Sequence, residues 1–258
     1  MSTTDLFSLE GRTAVVTGGT SGIGRMIADG LIDAGAKVYV ASRKADACAR
    51  VAAELSERGT CVGIPADLST EAGCQALAAA VAEQEEAVHL LVNNAGATWG
   101  APLEEYPDSA FDKLWAVNVK GVFHLTKALL PQLRVSATEE DPARVVNIGS
   151  IDGIRVPVTE SYAYSATKAA VHMLTRHLAA NLARDHITVN AVAPGPFDSR
   201  MMAFVLDDPA GRQAVSGSVP LGRVGRPDDM AGTVIFLASR AGAYLTGAVI
   251  PVDGGTSR

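Results

Sequence analysis

Apolar positions along the chain gather into short runs rich in β-branched residues: RTAVVTGG, KVYVAS, CVGIPADL, HLLVNNAG, ARVVNIGS, ITVNAVAPG and AVIPVDGG. Between the runs, apolar residues recur at helical spacing, as at Ile23, Ile27 and Leu31, or Leu77 and Val81. Strands that alternate with helices pair in parallel, because each helix serves as the crossover. Such strands read as continuously apolar because helices cover both faces of the sheet. The seven runs predict an α/β fold, a doubly wound parallel sheet flanked by helices, with residues 1–258 as one domain.

Most of the runs end in small or polar residues: Thr17 and Gly18, Ser42 and Arg43, Asp67, Asn93 and Asn94, Gly149 and Ser150, Pro194 and Gly195. Doubly wound sheets bind ligands at the carboxyl ends of their strands, so these residues are expected along one sheet edge. The stretch 197–222, rich in proline and glycine and without clear periodicity, reads as an excursion or lid over that edge.

With 48% hydrophobic and 19% charged residues, the chain can bury a large core. A net charge of −6 with no basic run argues against a nucleic-acid or anionic-membrane partner. The start MSTTDLFSLEGR has no basic stretch leading into an apolar one, and no segment is apolar enough to span a bilayer, so a cytoplasmic protein is expected. Cys48, Cys61 and Cys74 are odd in number and widely spaced, which fits a reducing compartment. His89, His124, His172, His177 and His186 show no ligand spacing, so no metal site is expected and each reads as an ordinary surface or helix position.

Three motifs carry chemistry. TGGTSGIG, residues 17–24, follows a strand and opens a helix; Gly18, Gly22 and Gly24 allow close approach to a pyrophosphate at a helix N-terminus. After the second strand, where a carboxylate would hold a ribose 2′-OH, stand Ser42, Arg43 and Lys44, which favour a 2′-phosphate; solvated charges at a helix entry are the plain alternative. In SYAYSATKAA, Tyr164 and Lys168 are four residues apart and so lie within about 40° on a helix. Tyr162 faces elsewhere and reads as packing or cleft lining. A cation on the same face favours phenolate, but a phenol ordinarily near pKa 10 needs more than one charge to work near neutrality.

In their order along the whole chain, these motifs resemble the short-chain dehydrogenase/reductase family, with its Rossmann-like fold. The resemblance also rests on Asp67, NNAG at 93–96, Asn118 in AVNVKG, Ser150 in NIGS, Pro194 and Gly195, and the closing VDGG. It implies Ser150, Tyr164, Lys168 and Asn118 as catalytic residues. Tyr164 would protonate a carbonyl oxygen, Ser150 would donate a second hydrogen bond to it, Lys168 would hold the nicotinamide ribose, and Asn118 would help carry a proton relay. The cofactor would be NADP(H), with NAD(H) as the alternative. Its pyrophosphate would lie on Gly18, Thr20, Ser21, Gly22, Ile23 and Gly24, its 2′-phosphate on Arg43 and Lys44, and its adenine by Asp67 and Leu68. Asn94, Ala95 and Gly96, then Tyr164 and Lys168, then Pro194, Gly195, Phe197 and Ser199 would complete the contacts. Ser199 stands where the family commonly has threonine, and Thr20 and Ser21 stand where some NADP-dependent members carry a basic residue.

Stretches such as IPADLS, NNAGATWGAPLEEYP and YAY look like the β-ketoacyl reductases, including the rhamnolipid-biosynthesis type. That resemblance implies reduction of a 3-oxoacyl thioester on acyl carrier protein or CoA, with sugars, polyols, steroids and quinones as the alternatives within the family. It also implies a homo-oligomer, a tetramer first. A serine hydrolase would need a G-x-S-x-G elbow, which is missing. A non-catalytic NADP sensor would show a broken serine, tyrosine and lysine set, and here it is intact.

Overall fold

The computed structural model describes residues 2–199 and 201–258. After a short capped helix α1 (Thr3–Phe7), the chain alternates β1 (Thr13–Thr17), α2 (Gly22–Asp33), β2 (Lys37–Ser42), α3 (Ala45–Ser56), β3 (Cys61–Pro65), α4 (Glu71–Ala82) and β4 (Leu90–Asn93). The second half runs α5 (Asp108–Trp115), α6 (Gly121–Ser136), β5 (Ala143–Ile148), α7 (Tyr162–Leu182), β6 (Ile187–Pro194), α8 (Ala203–Leu206), α9 (Pro209–Ser218), α10 (Pro227–Ala238) and β7 (Val249–Val252). All seven expected strands form one parallel sheet in the order β3-β2-β1-β4-β5-β6-β7. The order reverses between β1 and β4, which opens the crevice where such sheets take a ligand.

Side chains alternate between the two sheet faces. Ala14, Val16, Val38, Val40, Val146 and Val192 pack with Ile27 and Leu31 of α2 and Val234 of α10. Val15, Tyr39, Leu91, Val145 and Val189 pack instead with Leu77 of α4, Leu125 and Leu129 of α6 and Leu182 of α7. This two-residue period explains why central strands covered on both sides show no polar alternation in the sequence. Leu129 is completely buried, and its truncation to alanine is the kind of change that costs about 2–5 kcal/mol.

Two features go beyond the sequence expectation. Ala116–Lys120 forms a π-turn between α5 and α6, a local widening that no apolar period announces. The 197–222 excursion, where the sequence shows little clear periodicity, contains α8 and α9. Pro209 starts α9, and Asp208 caps it by accepting the Gly211 N–H at 2.8 Å. Leu206 is buried while Phe204 is exposed, so the segment is anchored on one side only. No helix among the described residues is long and apolar enough to cross a membrane.

Candidate active site

The glycine turn after β1 is shaped by crowding. Thr17 Oγ1 accepts the N–H groups of Asn94 and Ala95, each at 2.9 Å, and Asn94 Nδ2 donates to the Thr17 carbonyl at 2.8 Å. These bonds tie the ends of β1 and β4 together at the sheet's crevice. Gly18 and Gly22 have φ of +65° and +53°, where side chains are disfavoured. A Cβ on Gly18 would come within 2.7 Å of Asn94 Nδ2, and one on Gly24 would strike the Gly18 carbonyl. Ser21 caps α2 with extended backbone but no side-chain hydrogen bond, so the first N–H groups of the twelve-residue helix point outward uncapped. Ile23 turns inward and packs on the core, leaving Thr20 and Ser21 at the surface of the turn.

At the ends of β2 and β3, Arg43 and Lys44 are exposed and form no salt bridge with any described residue. Asp67 Oδ1 accepts the Ser69 N–H and hydroxyl at 3.0 and 2.8 Å, and these bonds hold the carboxyl below its usual range, helped by the nearby Arg43 charge. Capping of α4 falls to Thr70, not Asp67. Leu68 is 7% exposed and belongs to the core, so it offers a ligand only its backbone.

The catalytic candidates meet at the ends of β4 and β5 and the start of α7. Ser150 is buried directly after β5, and its Oγ accepts the Asp152 N–H at 3.1 Å. Tyr164 and Lys168 share the inward face of α7, 9% and 5% exposed, with Nζ 5.6 Å from the phenol ring centroid. Lys168 Nζ donates to the Ile148 carbonyl at 2.7 Å, which pins the helix to the end of β5. The expected lowering of the Tyr164 pKa by Lys168 does not arise in the protein alone. Burial pushes the phenol up to about 12; the Ser150 hydroxyl acts downward and Asp152 upward. Burial also brings the Lys168 ammonium down to about 8.

Asn118 enters the site on the π-turn. Its Oδ1 accepts the Ala97 N–H at 2.9 Å, and its Nδ2 donates to the Ala97 carbonyl and Thr167 Oγ1, both at 3.0 Å. The side chain is therefore committed to holding the loop after β4 against α7. Gly96 lies beside it, where a Cβ would stand 3.2 Å from Asn118 Oδ1 and 3.7 Å from Lys168 Nζ. Beneath this layer Asn93 donates to Asn147 Oδ1 at 2.9 Å and to Thr126 Oγ1 at 3.1 Å, so the first asparagine of NNAG is structural. Tyr162 is 39% exposed and stacks edge-on against Tyr106 at 5.4 Å, away from Lys168, as its position on the helix predicts.

Beyond β6, Gly195 passes so close to the last loop that a Cβ would come within 2.7 Å of Asp253 Cα. Phe197 is 2% exposed with its ring against Gly225, so it too offers a ligand only backbone, whereas Ser199 is partly exposed. His172 takes the helix position that the sequence allowed for it, on α7, and is buried beside the serine loop. Thr167 and Tyr106 are structural partners that sequence reasoning missed, and the partners of Thr17 and the place of His172 beside the serine loop emerge only in the fold. Only Thr17 carried a signal, as the hydroxyl closing an apolar run before a glycine turn. No group of three or more metal-ligating side chains occurs among the described residues.

Residues 18–257 match the family described as Enoyl-(Acyl carrier protein) reductase. The chain is 53% identical over 249 residues to a rhamnolipids biosynthesis 3-oxoacyl-[acyl-carrier-protein] reductase of Pseudomonas aeruginosa, covering 96% of this chain and 97% of that one. It is 40% identical over 253 residues to a 4-formylbenzenesulfonate dehydrogenase of Comamonas testosteroni, covering 96% and 98%. Among solved structures, the Pseudomonas aeruginosa RhlG/NADP active-site complex superposes with a TM-score of 0.96 at 52% identity, covering 98% and 99% of the two chains. Sequence, topology and the Ser150, Tyr164 and Lys168 constellation agree: the chain belongs to the short-chain dehydrogenase/reductase family.

Proposed function

We propose that this protein is an NADP(H)-dependent oxidoreductase that reduces the 3-oxo group of an acyl thioester, carried by CoA or acyl carrier protein, to the 3-hydroxy form. The observation that carries the reading is the buried Ser150, Tyr164 and Lys168 set at the same carboxyl edge of the sheet as a glycine turn with uncapped helix N–H groups. Support for the substrate comes from the 53% identical 3-oxoacyl reductase, and support for the cofactor from the NADP complex of a 52% identical structure.

The residues present fit the cofactor. Gly18 and Gly24 leave no side chain over the turn, Ser21 and the first turn of α2 offer donors for a pyrophosphate, and Arg43 with Lys44 supplies two exposed cations for a 2′-phosphate. Asp67 Oδ2, without a hydrogen bond to any described residue, would take the adenine side; the backbone around Asn94, Ala95 and Gly96 would lie along the ribose. Pro194, Gly195, Phe197 and Ser199 would meet the carboxamide end. Bound NADPH supplies the hydride.

Ser150 donates a hydrogen bond to the substrate carbonyl, stabilising negative charge where it develops. Tyr164, held protonated at neutral pH by burial, gives its proton to the same oxygen. Lys168, with its pKa near 8, can pass a proton back to the phenolate at working pH, while holding the ribose hydroxyls. The Asn118 amide is committed to Ala97 and Thr167, so its part is to hold the loop and helix that frame this relay.

Residues 1–258 act in this reading as one domain with 197–222 as the lid, in the cytoplasm. Exposed Phe111 and Trp115 on α5, Phe123 on α6 and Met173 on α7 support a homo-oligomer, a tetramer by preference, which light scattering on a sizing column would test. The reaction is tested by following NADPH and NADH oxidation with acetoacetyl-CoA, beside crotonyl-CoA, a quinone, a keto sugar and a ketosteroid. Fast oxidation of NADPH with acetoacetyl-CoA sustains the proposal. Tight NADPH binding with no turnover of any carbonyl would favour an NADP sensor, and a preference for NADH would remove the role of Arg43.

A further inference from the structure

His172 stands one turn beyond Lys168 and two beyond Tyr164, so the three share the inward face of α7. Its ring is 5% exposed, and the loop carrying Ser150 runs directly over it. A Cβ on Gly149 would collide with His172 Nε2; one on Gly153 would lie 2.9 Å from Cε1 and 2.6 Å from the Lys168 carbonyl carbon. Neither glycine has positive φ, so conformational freedom does not explain either. The space they leave is filled by the imidazole and by the α7 backbone. Glycine therefore brackets the Ser150–Asp152 turn on both sides: at Gly149 the imidazole occupies the place of a side chain, and at Gly153 the α7 backbone does so together with the ring.

Nε2 has no hydrogen-bond partner among the described residues. Burial, with the Lys168 and Arg176 charges, outweighs the raising effect of the Gly153 backbone and brings the imidazole down to about 4, so the ring is neutral under the loop. A neutral, rigid ring adds no charge beside Lys168 and yet fills the gap between helix and loop.

We propose that His172 is a positioning residue: its ring is the floor on which the Ser150 loop rests, and it sets the distance from the Ser150 hydroxyl to the Tyr164 phenol. The inference rests on the reading of Ser150 and Tyr164 given above. The height of the serine loop over α7 is then fixed by one ring plus two missing side chains. That predicts a reciprocal relation: a methyl added at Gly149 lifts the loop, and removal of the ring makes room for it.

The test is a double-mutant cycle on the full chain with Gly149→Ala, His172→Ala and the pair, read by steady-state kinetics with NADPH and acetoacetyl-CoA and by thermal melting. For Gly149→Ala we expect kcat to fall about 100-fold, as misplacement by about 1 Å can cause, with the KM for NADPH changed by less than about twofold. The pair should recover at least about tenfold in kcat over Gly149→Ala, since neighbouring groups in steric conflict couple strongly. A pair no faster than Gly149→Ala, or a Gly149→Ala variant with wild-type kcat, overturns the proposal. If Gly149→Ala does not fold, His172→Ala decides alone: a fall in kcat of about tenfold with NADPH KM held is expected, and unchanged kcat overturns it. Tyr164→Phe is run in parallel. If it keeps activity, the Ser150 and Tyr164 reading fails; if it is inactive while the pair shows no recovery, only the role of His172 fails.

Discussion

The two sides of the sheet's carboxyl edge are built on opposite plans. On the cofactor side, the turn after β1 is locked by Thr17 and Asn94, and the glycines there sit where a single methyl would collide with backbone or Asn94. On the side that the proposed function gives to the substrate, Ile154, Val156 and Val158 after the serine loop, and Phe204 of α8, stand exposed. Fixed geometry is needed where a large invariant group must be met by backbone donors, and adaptable apolar contact suffices where the substrate's variable part lies. Ser150, Tyr164 and Lys168, catalytic in the proposed function, are buried between the two.

The largest break of this comparison is Tyr164→Phe. It removes the proton donor while leaving the ring's packing, so kcat for carbonyl reduction should drop by about 10³-fold with cofactor affinity nearly intact, measured by NADPH oxidation and by quenching titration. Next comes the buried floor of the rigid side. His172 has a folded pKa of about 4, below its ordinary 6.5, so the unfolded chain takes the proton first. Stability from this group is complete above about pH 6.5 and declines as pH falls toward 4, by up to about 3 kcal/mol. The melting temperature of His172→Asn should therefore fall less steeply than that of the wild type across that window.

A smaller effect sharpens the cofactor half. Arg43→Ala should raise the KM for NADPH about tenfold and leave that for NADH unchanged, since a charge-assisted bond to a 2′-phosphate is worth about 1.5–3 kcal/mol before solvent screening. The smallest belongs to the adaptable half. Phe204→Ala should raise KM about twofold to threefold for long 3-oxoacyl substrates and leave acetoacetyl-CoA unaffected, since only a long chain reaches so exposed a side chain.

What could be read from the sequence follows the same division. The seven strands, the glycine turn and the Tyr164 and Lys168 face are legible because each is written in local order: β-branched runs, a glycine spacing, a four-residue step. The burial of Phe197 and Leu68 was not legible, because it depends on Gly225 and α4 arriving from elsewhere in the chain. The π-turn at Asn118 and the helices α8 and α9 lack a strong apolar period, so they gave no signal. His172 was invisible for a related reason: its significance lies in two glycines more than eighteen residues away, which bend over it only in the folded chain.

In the proposed function Tyr164, kept protonated by burial and hydrogen-bonded by Ser150, is the acid that protonates the carbonyl oxygen while NADPH reduces the 3-oxoacyl thioester. The most direct measurement compares wild type and Tyr164→Phe in single-turnover oxidation of bound NADPH by acetoacetyl-CoA. The account predicts rapid oxidation in the wild type and a rate lower by about 10³-fold in the variant, with NADPH still bound. Oxidation at a comparable rate in both proteins would contradict it.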